Sequence, residues 1–287
     1  MYADDTTLYV SGTCLDDNII QTRLQHDVNA LKQWIKENKL HLNVDKTKLM
    51  IIGSKQRLHS INAESIHILY DGKEIERCTS IKCLGIIIDE NLLWHDQVNS
   101  VCKKVFAGLA LLKRIRQFVN DNTLKLLYLC IVQSQMDYCC EVWGNRFNMH
   151  TERITKLQKR AARLILNCNM YTSSKELFLR LNLLPFYQRV QYFRCLFVYK
   201  CINNISSDFY VDVFKPVSEI HDRNTRFSCN NNLAIPKCRT EYFSHSLRCS
   251  GSILWNRLSN ECRQACSLGS FKISLKKFLF TLAFTEK

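Results

Sequence analysis

Apolar residues recur at steps of three and four along most of this chain and alternate with polar ones only in short stretches near its start. Over residues 16–39, Ile19 or Ile20, Leu24, Val28, Leu31, Trp34 and Ile35 share one face, which predicts an amphipathic helix. Asp16 or Asp17 can cap its start, and Lys36 and Lys39 suit its C-terminal end. The spacing of Val98, Val101, Val105, Leu109, Leu112 and Ile115 predicts a second helix over 95–118. A third runs from about Thr123 to Trp143, with Asp121 or Asn122 as its cap and Gly144 as its stop. A fourth, over 151–167, has the stripe Ile154, Leu157, Ala161, Leu164 and Ile165. Residues 173–203 read as two helices separated by Pro185, and the aromatics Phe186, Tyr187, Tyr192, Phe193, Phe197 and Tyr199 at helical spacing predict a packed core, with stacking on nucleic-acid bases as the alternative. Helical patterns return around Ser252–Leu258 and from Phe271 to Leu282.

Strand signals are fewer. Thr6 to Val10 has strand composition, with Asp4 and Asp5 in a tight turn entering it. A strand is expected after Lys48, over Leu49–Ile52. Ile66, Ile68 and Tyr70 alternate ahead of Asp71-Gly72, a hairpin turn signal. A further run covers Ile81 to Asp89, where Gly85 on its own marks a bulge. Residues 216–240 form a polar loop. Helices with a few strands give an α+β class, and only 8 Gly and 3 Pro argue against disorder and against an all-β protein.

Composition adds a partner. The chain has 287 residues, enough for about two domains. Its net charge of +14 points to a polyanion. That charge is segregated: net −2 over residues 1–90, +7 over 91–170 and +9 over 171–287. The 15 Cys read as reduced thiols, because the count is odd, several sit in apolar helical patterns, and no apolar signal region opens the chain. No apolar stretch reaches the ~18 residues of a membrane span. The expected location is therefore intracellular, in cytoplasm or nucleus, and neither secreted nor in a membrane.

The chemistry is concentrated in the acidic opening and the basic helices. Two adjacent carboxylates at a turn call for a cation, and Mg²⁺ is the usual one. The functional reading of Asp4 and Asp5 is a site for two metal ions in phosphoryl transfer, and the alternative is a solvated pair. Arg153, Lys156, Lys159, Arg160 and Arg163 lie at steps of three and four, a stripe able to track phosphates, with a solvated basic face as the alternative. Lys103, Lys104, Lys113 and Arg114 lie off the apolar face of the 95–118 helix. Cys229, Cys238, His245 and Cys249 have the residue types of a zinc knuckle, but their long, irregular gaps argue against one.

Tyr2-Ala3-Asp4-Asp5-Thr6-Thr7-Leu8-Tyr9 resembles the catalytic box of reverse transcriptases. Downstream segments follow in the order found in non-LTR retrotransposon (LINE) enzymes, most closely the jockey-like elements. They are Leu42-Asn43-x-x-Lys46-Thr47-Lys48, Leu84-Gly85-Ile86-Ile87-Ile88-Asp89, Tyr138 to Asn145, Leu157-Gln158-Lys159-Arg160-Ala161-Ala162-Arg163, His221-x-x-x-Thr225-Arg226, and Gly251-x-x-Leu254-Trp255-Asn256-x-Leu258. The likeness covers nearly the whole chain. It implies RNA-templated DNA synthesis with two Mg²⁺, an RNA template, a DNA primer and deoxynucleoside triphosphates. Asp4 would ligate metal directly and Asp5 more weakly. Lys46, with Lys48 second, would lie near the triphosphate, with solvated strand-edge lysines as the alternative. Leu84 and Gly85 would belong to the primer grip, and Arg223 and Arg226 could contact phosphates.

The family places its fingers and first palm half ahead of the acidic box, so the chain is expected to be the C-terminal portion of a longer enzyme, inactive alone. Residues 1–93 would be the second half of a palm, 94–170 a helical thumb, and 171–287 a helical nucleic-acid-binding domain. A nucleic-acid-binding remnant without catalysis is the alternative. An endonuclease reading fails for want of a His-Asp-Glu-Asn cluster. Oligomeric state is not indicated.

Overall fold

In the computed structural model, residues 5–12, 17–60, 66–144, 147–210, 212–220 and 232–285 are described. Asp4, Asp16, Asn145, Arg223, Arg226 and Cys229 therefore lie outside the described residues. The chain divides into two units, Met1–Gln97 and Val98–Lys287. Helices dominate, accompanied by two small antiparallel sheets, a mixed α+β architecture.

In the first unit, helix α1 (Asp17–Glu37) follows the predicted periodicity and buries Val28 and Ile35. Val28 packs with Ile68, Tyr70 and Ile75 in a small core flanked by Leu24, Leu42, Val44 and Leu49. Strands β1 (Leu69–Tyr70) and β2 (Lys73–Glu74) pair antiparallel. Their turn, Asp71-Gly72, has φ of 52° and 75°, the left-handed pair that a two-residue hairpin needs. The Gln25 amide substitutes for a neighbouring strand: its Nε2 donates to the Leu69 carbonyl and its Oε1 accepts from the Leu69 N–H, both at 2.8 Å. This satisfies an edge that would otherwise be left open.

Three strand expectations change. Residues 6–12 form no strand, and Leu8 and Tyr9 are exposed. An extended run becomes a strand only by pairing, and among the described residues none is paired with it. Leu49–Ile52 is reduced to one parallel bridge, Leu49 to Arg77, followed by an unpredicted short helix α2 (Lys55–Ser60). The run Ile81–Asp89 is a hairpin rather than one strand: β3 (Ser80–Cys83) pairs with β4 (Ile86–Asp89). Leu84 and Gly85, with φ of 45° and 85°, are its two turn residues. Gly85 supplies the left-handed conformation instead of a bulge.

Asp89 then organises the exit from this hairpin. Its Oδ1 accepts from the N–H groups of Asn91 (3.2 Å) and Leu93 (2.9 Å), and its Oδ2 from that of Trp94 (2.7 Å). Leu92 and Trp94 are both held at positive φ, 49° and 63°, and Trp94 is buried.

In the second unit, α3 (His95–Ile115, entering from the boundary) buries Val98, Val101, Val105 and Leu112. Helix α4 (Asp121–Tyr128) is capped by Asn120, whose side chain accepts from the Thr123 N–H, in place of the expected Asp121 or Asn122. The predicted 123–143 helix is interrupted. A π turn at Leu129–Gln133 leads into α5 (Ser134–Asp137), Cys139 turns left-handed, and α6 (Cys140–Trp143) follows. The indole of Trp143 donates to the Tyr138 carbonyl at 3.0 Å and stacks on Phe186. That gives the Tyr138–Gly144 segment its packing role.

Helix α7 (Asn148–Leu166) precedes α8 (Ser174–Leu181) and α9 (Phe186–Ile202). Helix α9 is buried on most sides, and Tyr199 stacks on Phe271 with centroids 4.2 Å apart. The C-terminal helices are α10 (Glu241–His245), α11 (Leu247–Asn256), α12 (Asn260–Arg263) and α13 (Leu268–Thr285). Trp255 and Leu258 enter the core, while the Asn256 amide exchanges two 2.8 Å hydrogen bonds with the backbone of Leu233. No described helix is long and apolar enough to cross a membrane.

Candidate nucleic-acid interface

Of the acidic pair, Asp5 is described, and its side chain is exposed and open to a cation. Residues 9–11 line a cavity of about 540 Å³ with Thr22, Arg23, His26 and Asp27 of α1. Among the described residues, no group of three or more His, Cys, Asp and Glu gathers as a metal site. Asp5 could supply one carboxylate to a metal ion, and two ions would need further oxygen ligands.

The Leu42–Lys48 motif is a turn built by Asn43. Its carbonyl accepts from the Lys46 N–H, the Thr47 N–H and the Thr47 hydroxyl, and its Oδ1 accepts from the Lys46 N–H as well. Lys46 stands exposed on this turn, and its ammonium has no partner among the described residues. Lys48 instead pairs with Glu76 at 2.5 Å. Neighbouring Asp45 pairs with Lys73, whose hydrogen bond and charge hold its carboxyl below the usual range. Of the two lysines, Lys46 is the cation left available for an anion. Leu84 and Gly85 are exposed at the tip of the second hairpin.

The basic residues of α7 are brought alongside α3. Arg153 Nη1 donates to Asn99 Oδ1 at 2.9 Å. The Arg160 guanidinium lies over the Phe106 ring, 5.5 Å from its centroid. Arg116, just past the end of α3, donates through Nη1 to Asn167 Oδ1 at the C-cap of α7, at 2.7 Å. These contacts advance together along both helices, so α3 and α7 run side by side in the same direction. Asn99, Lys103, Phe106 and Lys113 recur at steps of three, four and seven and so share one face of α3. The ridge thus unites exposed Lys103, Lys113, Arg153, Lys156 and Arg160. Lys104 and Arg114 are exposed one step off that face. Lys159 and Arg163 are half-buried, and Arg163 Nη2 is spent on the Thr172 carbonyl at 3.4 Å. Asn99 and Phe106 were not foreseeable from spacing, since their role depends on which helix lies opposite.

Cys238 and Cys249 come together, with their sulfurs 2.7 Å apart. A set that sequence reasoning missed lies on α9 and just past the end of α11: Gln191, Arg194 and Arg257. The available signal was Arg194, a cation set inside the otherwise apolar run Tyr192 to Phe197.

No family model matches the chain, and neither does any solved structure. Two curated proteins do. The probable RNA-directed DNA polymerase from transposon BS of Drosophila melanogaster is 26% identical over 185 residues, which is 63% of this chain and 20% of that protein. The probable RNA-directed DNA polymerase from transposon X-element of the same organism is 22% identical over 193 residues, 66% of this chain and 20% of that protein. The chain therefore spans about a fifth of the length of the curated relatives it matches. The likeness to retrotransposon reverse transcriptases rests on an extended similarity as well as on the motifs.

Proposed function

We propose that this chain is a portion of a retrotransposon RNA-directed DNA polymerase, and that the ridge formed by α3 and α7 grips its template–primer duplex. The observation that carries the reading is the ridge. Arg153 and Arg160 are seated along α3 by Asn99 and Phe106, which presents five exposed cations from two helices on one surface. Such a surface binds a phosphate backbone through charge and counterion release, with little dependence on sequence. The similarity to two transposon polymerases supplies the class of nucleic acid.

In this reading residues 1–93 complete a palm, 94–170 form the thumb, and 171–287 bind element RNA or target DNA. Asp4 and Asp5 hold Mg²⁺ together with oxygen ligands from elsewhere in the intact enzyme. When bound, the two ions stabilise the attacking and leaving oxygens. Lys46, whose ammonium has no partner among the described residues, offers charge to the departing pyrophosphate, with Lys48 second. Leu84 and Gly85 offer a narrow backbone turn to the primer end. Arg223 and Arg226 add phosphate contacts.

The chain alone is expected to be inactive, because two acids from one corner leave the metal site short of ligands. Primer extension on a homopolymer RNA template with Mg²⁺ tests this, and any extension by the isolated chain overturns it. Binding to an RNA–DNA duplex over a salt series tests the ridge. The double variant Arg153→Gln/Arg160→Gln should lower the slope of log affinity against log salt by about 2, at roughly 0.9 per phosphate contact. An unchanged slope overturns the assignment.

A further inference from the structure

Helices α9 and α11 enclose a half-open cavity of about 130 Å³, lined among others by Tyr187, Gln191, Arg194, Ser250 and Arg257. We propose that this cavity is a phosphate-binding pocket, which takes a backbone phosphate of the bound nucleic acid. The nucleic-acid source rests on the polymerase reading above, whereas the phosphate chemistry rests on the pocket itself.

Arg194 is 2% exposed and, among the described residues, pairs with no carboxylate. Its Nε donates to the Glu141 carbonyl at 2.8 Å, its Nη1 to the Ser250 hydroxyl, and its Nη2 to the His245 carbonyl at 3.4 Å. Three of five N–H bonds are thereby used, and two remain. Burial pushes its pKa down to about 10, so it stays charged at neutral pH. The nearby Glu141 offers its backbone carbonyl rather than its carboxylate. A guanidinium held this way keeps two N–H bonds to give, and its charge is offset only from a distance by the Glu141 carboxylate, which favours the cation without pairing with it.

Two further groups point to the same kind of occupant. Arg257 is exposed at the cavity, and its guanidinium has no partner among the described residues. Gln191 is 7% exposed, and its Oε1 is buried without a hydrogen-bond partner. Amide oxygen and nitrogen are interchangeable by rotation. Turned one way, Gln191 donates to an oxyanion; turned the other, it accepts from a ribose hydroxyl beside that oxyanion. Tyr187, half exposed at the rim, presents a ring on which a base can stack. Among the described residues no acidic side chain lines the cavity. Two guanidiniums, an unspent amide and a rim aromatic match a nucleotide phosphate and leave an apolar ligand with unpaired polar groups.

The test uses the full chain, its Arg257→Ala variant and its Gln191→Met variant. Inorganic phosphate, against chloride at equal ionic strength, should raise the melting temperature of the unmodified chain and leave that of Arg257→Ala unmoved. Fluorescence anisotropy with a labelled single-stranded RNA should show affinity falling about five- to tenfold in Arg257→Ala, with the salt slope reduced by about 1. Gln191→Met removes an unpaired buried polar group, so a merely structural residue would give a fold at least as stable with phosphate binding intact. The proposal expects a stable fold and a weakened phosphate response.

If both phosphate and RNA are indifferent to Arg257→Ala, the pocket is overturned. If the variant loses the phosphate response and keeps full RNA affinity, the site is one for free phosphate and the nucleic-acid source is overturned. RNA affinity that responds to Arg153 and Arg160 but not to Arg257 sinks this pocket and leaves the polymerase reading standing.

Discussion

Asp89, the last residue of the Leu84–Asp89 motif, has a role the structure makes quantitative. Its carboxylate accepts three backbone N–H bonds, from Asn91, Leu93 and Trp94. It also holds Leu92 and Trp94 in left-handed backbone that non-glycine residues adopt at a cost of ~1 kcal/mol each. In a half-buried setting each hydrogen bond contributes ~1 kcal/mol net, so Asp89→Ala should cost about 3 kcal/mol. Asp89→Asn keeps Oδ1 and its two bonds but turns an NH₂ group toward the Trp94 N–H, so about half that loss is expected. Urea unfolding followed by tryptophan fluorescence measures it, since Trp94 is buried beside the perturbation. A loss below ~0.5 kcal/mol in Asp89→Ala would refute the reasoning, as would an Asn variant worse than the Ala variant.

Two further outcomes follow from the second unit. Asp137 and Arg189 form a bidentate pair, Oδ1 to Nε at 2.6 Å and Oδ2 to Nη2 at 2.5 Å, with both side chains 18% exposed. Asp137→Ala should destabilise by about 3–5 kcal/mol in chemical denaturation, and Asp137→Leu with Arg189→Met should recover much of that; equal losses would mean that packing, not the stranded charge, dominates. Among the thiols, Cys130 and Cys266 are exposed while Cys195 is buried and pushed up to about 12 by desolvation. Iodoacetamide followed by mass mapping should label the first two in the native state and Cys195 only in denaturant, because the thiolate is the reactive form; native labelling of Cys195 would show that α9 opens readily.

Helices were legible wherever one face was apolar over many turns, as in α1, α3 and α7, and α9 by its long apolar and aromatic run after Pro185. Pairing was less legible, because a strand depends on a partner elsewhere in the chain. Thr6–Val10 has the composition but no ladder, and Gly85 reads as a bulge in one long strand until β3 and β4 are seen to pair around it. The break between α5 and α6 hides inside a continuous helical pattern, since Cys139 carries no left-handed signature of its own. On the ridge, the cations were legible from their spacing and their seats were not. Arg153 needs Asn99 and Arg160 needs Phe106, 54 residues away in each case, and only the side-by-side course of two helices joins them. Arg194 was hidden for the opposite reason, as a charge inside an aromatic run that otherwise predicts plain core.

Because α3 and α7 share one direction, their peptide dipoles add instead of cancelling. Each helix carries about half a positive charge at its beginning and half a negative charge at its end. The two ends of the ridge therefore differ: the backbone favours an anion at the first turns, which begin at His95 and Asn148, and disfavours one at the last, where Lys113, Arg114 and Arg116 offset it. A polyanion settling there meets a surface with a built-in sense of direction, independent of any base it carries.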